Sequence, residues 1–230
     1  MLGFIGGLMA SQTPKELFDL GVKSNKAKDF IQAKKYFEKA CNLNYGGGCG
    51  ALGDLYDDGK GVEKNLIKAA QFYSKACDLN NGSGCGTLGF LYGSGEGVKQ
   101  DSKKAVALYE KSCDLNNGLG CFNAGIFYEY GRGVENNSEK ATQFYSKACD
   151  LNNNKGCFNL GELYLEKDSK KAVALFEKSC DLNISRGCGA LGVLYYNGQG
   201  VEKNLTKAAQ YISKACKLGD QKACEALKEK

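Results

Sequence analysis

Two apolar stripes alternate along this chain, and both have the period of a helix. The first runs through CGALGDLYDDG (Cys49–Gly59), CGTLGFLYGSG, CFNAGIFYEYG, CFNLGELYLEK and CGALGVLYYNG. Leu52, Leu55 and Tyr56 recur there at i, i+3 and i+4, the spacing of one helical face. We call this segment helix A. The second stripe, Ala69, Phe72, Tyr73 and Ala76, belongs to NLIKAAQFYSKACDLN (Asn65–Asn80), which we call helix B. Its counterparts open at Asp101, Asn137, Asp168 and Asn204, residue types whose side chains cap helix N-termini. Before Cys41, Thr13-Pro14-Lys15-Glu16 reads as a capping box with Pro at the first helical position. It predicts one more helix A from about Lys15, followed by a helix B from Asp29 through Cys41.

Gly-x-Gly-Val separates A from B at Gly59/Gly61/Val62, Gly95/Gly97/Val98, Gly131/Gly133/Val134 and Gly198/Gly200/Val201. A glycine-rich run invites a phosphate-loop reading, but no strand precedes it and no Gly-Lys-Ser/Thr follows. Glycine here ends a helix by taking positive φ. One repeat skips the loop, reading Leu165-Glu166-Lys167-Asp168, and its helix pair stays legible. From B to the next A the chain reads Leu-Asn-Asn-Gly or similar, as at Leu79–Gly82, a C-cap and turn.

The cysteines give the period. Each of six couples is cysteine, seven residues, cysteine: Cys41/Cys49, Cys77/Cys85, Cys113/Cys121, Cys149/Cys157, Cys180/Cys188 and Cys216/Cys224. Successive couples start 36 residues apart, except that the fifth starts 31 after the fourth. A fixed period of this size marks a solenoid, in which each repeat packs on its neighbours. The predicted fold is all-α, an α/α superhelical solenoid of helix-turn-helix repeats. Its expected limits are a tail at 1–13, repeats at about 14–48, 49–84, 85–120, 121–156, 157–187 and 188–223, and a terminal helix at 224–230. Both ends are atypical, as capping repeats are.

Leu-Gly-x-x-Tyr, then Gly-x-Gly-Val, then Lys-Ala-x-x-x-Tyr-x-Lys-Ala-Cys resembles the Sel1-like repeat, a relative of the tetratricopeptide repeat. The added cysteine couple is similar to that of the secreted cysteine-rich (Hcp) proteins of Helicobacter. The resemblance covers about residues 14–230 and implies an α/α solenoid, export, and a disulfide at each couple. It also implies penicillin binding with weak β-lactamase activity, and so a β-lactam or peptidoglycan-like small molecule as one ligand. The repeat from Cys157 to Gly187 departs from the pattern by being five residues short.

Two disulfide pairings are geometrically open. Within a hairpin, the start of A meets the end of B, which allows Cys49–Cys77. Between repeats, the end of B meets the start of the next A, which gives Cys41–Cys49, Cys77–Cys85, Cys113–Cys121, Cys149–Cys157, Cys180–Cys188 and Cys216–Cys224. The hairpin pairing strands Cys41 and Cys224, and its spacing varies, whereas the local spacing is constant. Both points favour the local pairing. Paired cysteines argue for a secreted or periplasmic, oxidising compartment. The apolar start MLGFIGGLMA (Met1–Ala10) reads as a truncated signal or a loose tail.

Candidate chemistry is sparse. The chain has no histidine, which excludes a Ser-His-Asp triad and a Cys-His pair. Zinc sites favour Cys-x2–4-Cys or histidine, so no metal and no cofactor is expected. Ser102-Lys103-Lys104-Ala105 and Ser169-Lys170-Lys171-Ala172 come closest to a serine β-lactamase motif and do not match it, leaving the catalytic residues unknown. Basic residues number 31 and acidic ones 26, interspersed, which suits a solvated surface and not a nucleic-acid stripe. No stretch approaches the ~20 apolar residues of a membrane span. A monomer is expected.

Within helix A, the variable positions two, three, six and nine point to a binding face. They hold Phe122, Asn123, Ile126 and Glu129 in one repeat and Phe158, Asn159, Glu162 and Leu165 in the next, with Phe90, Val193 and Tyr196 from neighbours. Exposed Phe beside Asn suits an extended peptide or a protein partner, a host protein included. The competing reading is that these Phe residues fill gaps between repeats. The Tyr series (Tyr56, Tyr92, Tyr128, Tyr164, Tyr195) reads as packing.

Overall fold

The computed structural model describes residues 12–228. The Met1–Ala10 segment read as a truncated signal lies outside the described residues. Among the described residues all regular structure is α-helix, and none of these helices is long and apolar enough to cross a membrane. The chain divides into two compact units, Met1–Gln100 and Asp101–Lys230. The first holds α1 (Pro14–Lys26), α2 (Phe30–Asn42), α3 (Gly46–Asp58), α4 (Leu66–Asp78) and α5 (Gly82–Ser94). The second holds α6 (Ser102–Asp114), α7 (Gly118–Tyr130), α8 (Ser138–Asp150), α9 (Asn154–Tyr164), α10 (Ser169–Asp181), α11 (Ser185–Asn197), α12 (Leu205–Lys217) and α13 (Gln221–Ala226).

Side-chain caps explain where most of these helices start, α3 and α11 being the exceptions. Asn65, Asn137 and Asn204 each accept the backbone N–H three residues on, at 2.9 Å, and Asp101 and Asp168 do so at 3.0 Å. The helices of type A begin three residues earlier than their sequence stripe, at Gly46, Gly82, Gly118 and Asn154. In Leu-Asn-Asn-Gly the two asparagines do different work. Asn80, Asn116 and Asn152 take left-handed φ near 58° and end helix B. Asn81, Asn117 and Asn153 cap the next helix, accepting from Gly84, Gly120 and Gly156 at 2.7–2.9 Å. The terminal helix likewise begins at Gln221, not at Cys224, because Asp220 caps it.

Each second cysteine therefore lies in the first turn of helix A, and each first cysteine in the last turn of helix B. The two sit across a three-residue connection with Cα atoms 4.4–4.7 Å apart, and all six local pairs are bridged. No cysteine is free. Every bridge fastens the end of one helix pair to the start of the next, inside one or the other unit.

Packing is set by small residues at fixed places. A Cβ added at Gly53 would lie 2.5 Å from the Tyr73 ring, and one at Gly161 would lie 2.7 Å from Phe176. The absent side chain lets a helix B ring rest on the helix A backbone. In the Gly-x-Gly-Val loop, the first glycine is the left-handed cap, φ 72° at Gly59. The second sits against the first residue of the preceding helix B, where a Cβ at Gly97 would meet Leu66 at 2.6 Å and one at Gly200 would meet Ser169 at 2.5 Å. The loop is thus a wedge between repeats as well as a helix stop. The short repeat has none: Leu165 stays in the right-handed helical region and Asp168 caps α10 directly.

Candidate functional site

Three of the constant tyrosines of helix A stack on rings of helix B. Tyr56 stacks on Phe72, Tyr128 on Phe144 and Tyr195 on Tyr211, each with ring centroids 5.5 Å apart. A lysine from the first turn of helix B also lies over each ring: Lys68 at 5.4 Å, Lys140 at 4.7 Å and Lys207 at 5.1 Å from the centroid. Lys171 covers Tyr164 at 3.9 Å. Such contacts contribute about 0.5–1 kcal/mol each when exposed.

The variable positions differ in their surroundings. Phe122 and Phe158 are buried, at 9% and 6% exposure, so their expected exposure is corrected. Phe122 lies against Tyr145 with centroids 6.0 Å apart, and Phe158 against Phe176 at 5.6 Å. Each also has a cation from the next helix A over its ring, Lys155 at 6.0 Å and Arg186 at 4.5 Å. Each ring thus packs on helix B of its own repeat, with a cation of the next repeat over it. Asn123 and Ile126 are half-buried, as is Leu165. The Tyr145 hydroxyl donates to Glu129, and Asn159 hydrogen-bonds the same hydroxyl. Burial first, then the Glu129 contact, raises the Tyr145 pKa. Glu162 reaches Arg186 at 3.8 Å. Burial raises its carboxyl pKa, Arg186 opposes the shift, and Glu129 adds to it. Phe90, Val193 and Tyr196 are exposed. Val193 and Tyr196 line a separate apolar cleft of about 220 Å³ with Gly192, Ile212 and Leu227.

The first unit holds a groove that the sequence reading passed over. Helix A position two is Gly50, Gly86, Phe122, Phe158 and Gly189 in successive repeats. Where the second unit has Phe122 and Phe158, the first has Gly50, and a Cβ there would meet nothing closer than 3.7 Å. The space left open is about 220 Å³, lined by Phe18, Gly47, Gly50, Ala51, Asp54, Tyr73, Asn81, Ser83 and Thr87. The Tyr73 hydroxyl donates to the Asp54 carboxylate at 2.8 Å. Asp54 opens to solvent, yet crowding around its carboxylate raises its pKa. Loss of hydration is the main cause, the Tyr73 hydrogen bond opposes it, and Asp58 and Asp57 add to it. Burial and Asp54 together raise the Tyr73 pKa. A gap in a repeat column was the available signal, since glycine opposite bulky neighbours leaves a hole.

Helix pairs joined by one disulfide per repeat define an α/α repeat scaffold. The Sel1 repeat family matches at residues 17–45, 48–81, 87–117, 118–153, 155–184 and 185–220, and the chain belongs to that family. HcpC of Helicobacter pylori is 67% identical over 60 residues, 26% of this chain and 21% of HcpC. HcpA of the same species is 56% identical over 59 residues, 26% of this chain and 24% of HcpA. HcpA is called a β-lactamase, and HcpC is named for the same activity. These matches span under a quarter of either relative's length. Among solved structures, a Sel1 repeat protein from Oxalobacter formigenes superposes with a TM-score of 0.82 at 25% identity, covering 90% of this chain and 86% of that one. The protective antigen c5321 of uropathogenic Escherichia coli gives 0.79 at 28% identity, covering 91% and 47%.

Proposed function

We propose that this chain is an exported scaffold that holds a protein or peptide partner on its helix A face, in the groove beside Gly50. The observation that carries this reading is the groove itself, which opens beside Gly50, at the place that Phe122 and Phe158 hold in two other repeats. Its wall carries a ring (Phe18), a hydroxyl (Thr87), an amide (Asn81) and a carboxylate (Asp54). That mixture suits the side chains and backbone of an extended segment. Sel1 repeats commonly serve protein binding. The six bridges support an oxidising compartment.

The β-lactamase names of HcpA and HcpC raise a second reading. A groove of about 220 Å³ is smaller than the ~300–1,000 Å³ typical of sites for drug-sized ligands, which favours one side chain of a larger partner over a whole β-lactam. The test is retention on immobilised, oxidised protein. Gly50→Phe fills the groove with the ring that other repeats already carry, and retained partners should be lost with it. Unchanged retention overturns the groove reading. Hydrolysis of a chromogenic cephalosporin above the buffer rate by highly purified protein, abolished by Gly50→Phe, would favour the enzyme instead.

A further inference from the structure

The second unit contains a template for what the groove lacks. In α9, Phe158 follows Cys157 by one residue and Glu162 follows it by five, and Arg186 precedes Cys188 by two in α11. The Arg186 guanidinium lies 4.5 Å over the Phe158 ring and 3.8 Å from the Glu162 carboxylate. Counted from their own cysteines, the same three places in the first unit are Gly50, Asp54 and Ser83. The carboxylate is kept, while both the cation and the ring beneath it are gone. All three residues line the groove, and no lining residue is basic.

We propose that a Lys or Arg side chain of an extended peptide partner enters this groove and takes, toward Asp54, the place that Arg186 takes toward Glu162. This rests on the groove reading above and names the partner's chemistry. The physical case is charge complementarity. Among the described residues the Asp54 carboxylate receives one hydrogen bond, from Tyr73; loss of hydration raises its pKa, and Lys60, which pairs with Asp58, is the smallest influence on it. A carboxylate has more acceptor sites than that single donor fills. An incoming cation restores what crowding removed, and charge-assisted hydrogen bonds are the strong ones. The Phe18 ring supplies an apolar wall for the methylene stem, as amphipathic basic side chains require. A partner's side chain can insert because Gly50 leaves the floor open, whereas Phe158 closes the equivalent floor.

The experiment pans a phage-displayed random dodecapeptide library on the oxidised full chain at neutral pH, then measures the affinity of selected peptides for four proteins. These are wild type, Asp54→Asn, Ser83→Arg and Gly50→Phe, each with helical content checked by circular dichroism. Selected peptides should be enriched in Lys or Arg at one position. Asp54→Asn should weaken them about tenfold or more. Replacing the peptide's basic residue by Gln should cost as much, and the two losses should not add. Ser83→Arg, which supplies the cation in cis at a place where α11 already carries arginine, should compete with the peptide and weaken it at least as much. Peptides without a basic residue that bind Asp54→Asn as well as wild type, yet are lost on Gly50→Phe, overturn the cation while leaving the groove. Binding that survives Gly50→Phe, or a library from which nothing is retained, overturns the groove and this inference with it.

Discussion

Removing the bridge between α6 and α7, by Cys113→Ala with Cys121→Ala, tests what the clips contribute. The two cysteines are 8 residues apart in sequence. For a loop of that size the chain-entropy relation gives about 8 cal/mol/K, or about 2.5 kcal/mol at 25 °C, removed from the denatured state. Both sulfurs are fully buried, so truncation also leaves a void in the second unit. Cys216→Ala with Cys224→Ala opens a loop of the same separation at half-buried sulfurs, where the void matters less. The terminal pair therefore reports loop closure, and the interior pair reports closure plus packing. At about 2–4 °C per kcal/mol for a chain of this size, the terminal variant should lose about 5–10 °C in Tm, and the interior variant should lose more. Thermal unfolding followed by circular dichroism without reductant measures both. Losses under ~2 °C in both variants, or a larger loss at the terminal pair than at the interior one, would refute this account of the clips.

Gly53→Ala should destabilise the chain by about 1–3 kcal/mol, because its Cβ would lie 2.5 Å from the buried Tyr73 ring. Gly50→Ala, with nothing nearer than 3.7 Å, should be neutral or gain up to ~1 kcal/mol of helix propensity. Equal denaturation midpoints for the two would contradict the packing described. Asn153→Ala should cost about 1 kcal/mol by removing the cap on Gly156 N–H, read from the same curves. Asp54 has a raised pKa in the folded chain, so its ionisation opposes folding. That cost is absent below the ordinary aspartate range, near pH 3.9, and grows as pH rises through the folded value. Asp54→Asn should therefore be more stable than wild type at neutral pH and lose that advantage in acid, and a Tm difference independent of pH would refute the assignment.

Much of this protein is decided within a dozen residues at a time. The helix pairs follow from apolar stripes of helical period, and the helix B starts from Asn and Asp caps. The bridges follow from a couple whose spacing never varies, because a connection of three residues places both cysteines in adjoining helix turns. Helix A starts were shifted by three residues because Leu-Asn-Asn-Gly contains both a left-handed stop and a new cap, two local signals in one motif. The candidate site was less legible. Whether Phe158 is exposed depends on Phe176 beneath it and Arg186 above it, residues 18 and 28 positions away. The groove is lined by Gly50 and Ser83, in successive helices of type A, at the places where Phe158 and Arg186 stand in the second unit. Sequence by itself determined the repeat, its caps and its clips, since each is a contact between near neighbours. Only the tertiary structure decided which spaces between repeats are filled and which stay open, because each such space is closed by side chains that meet only after the repeats have stacked.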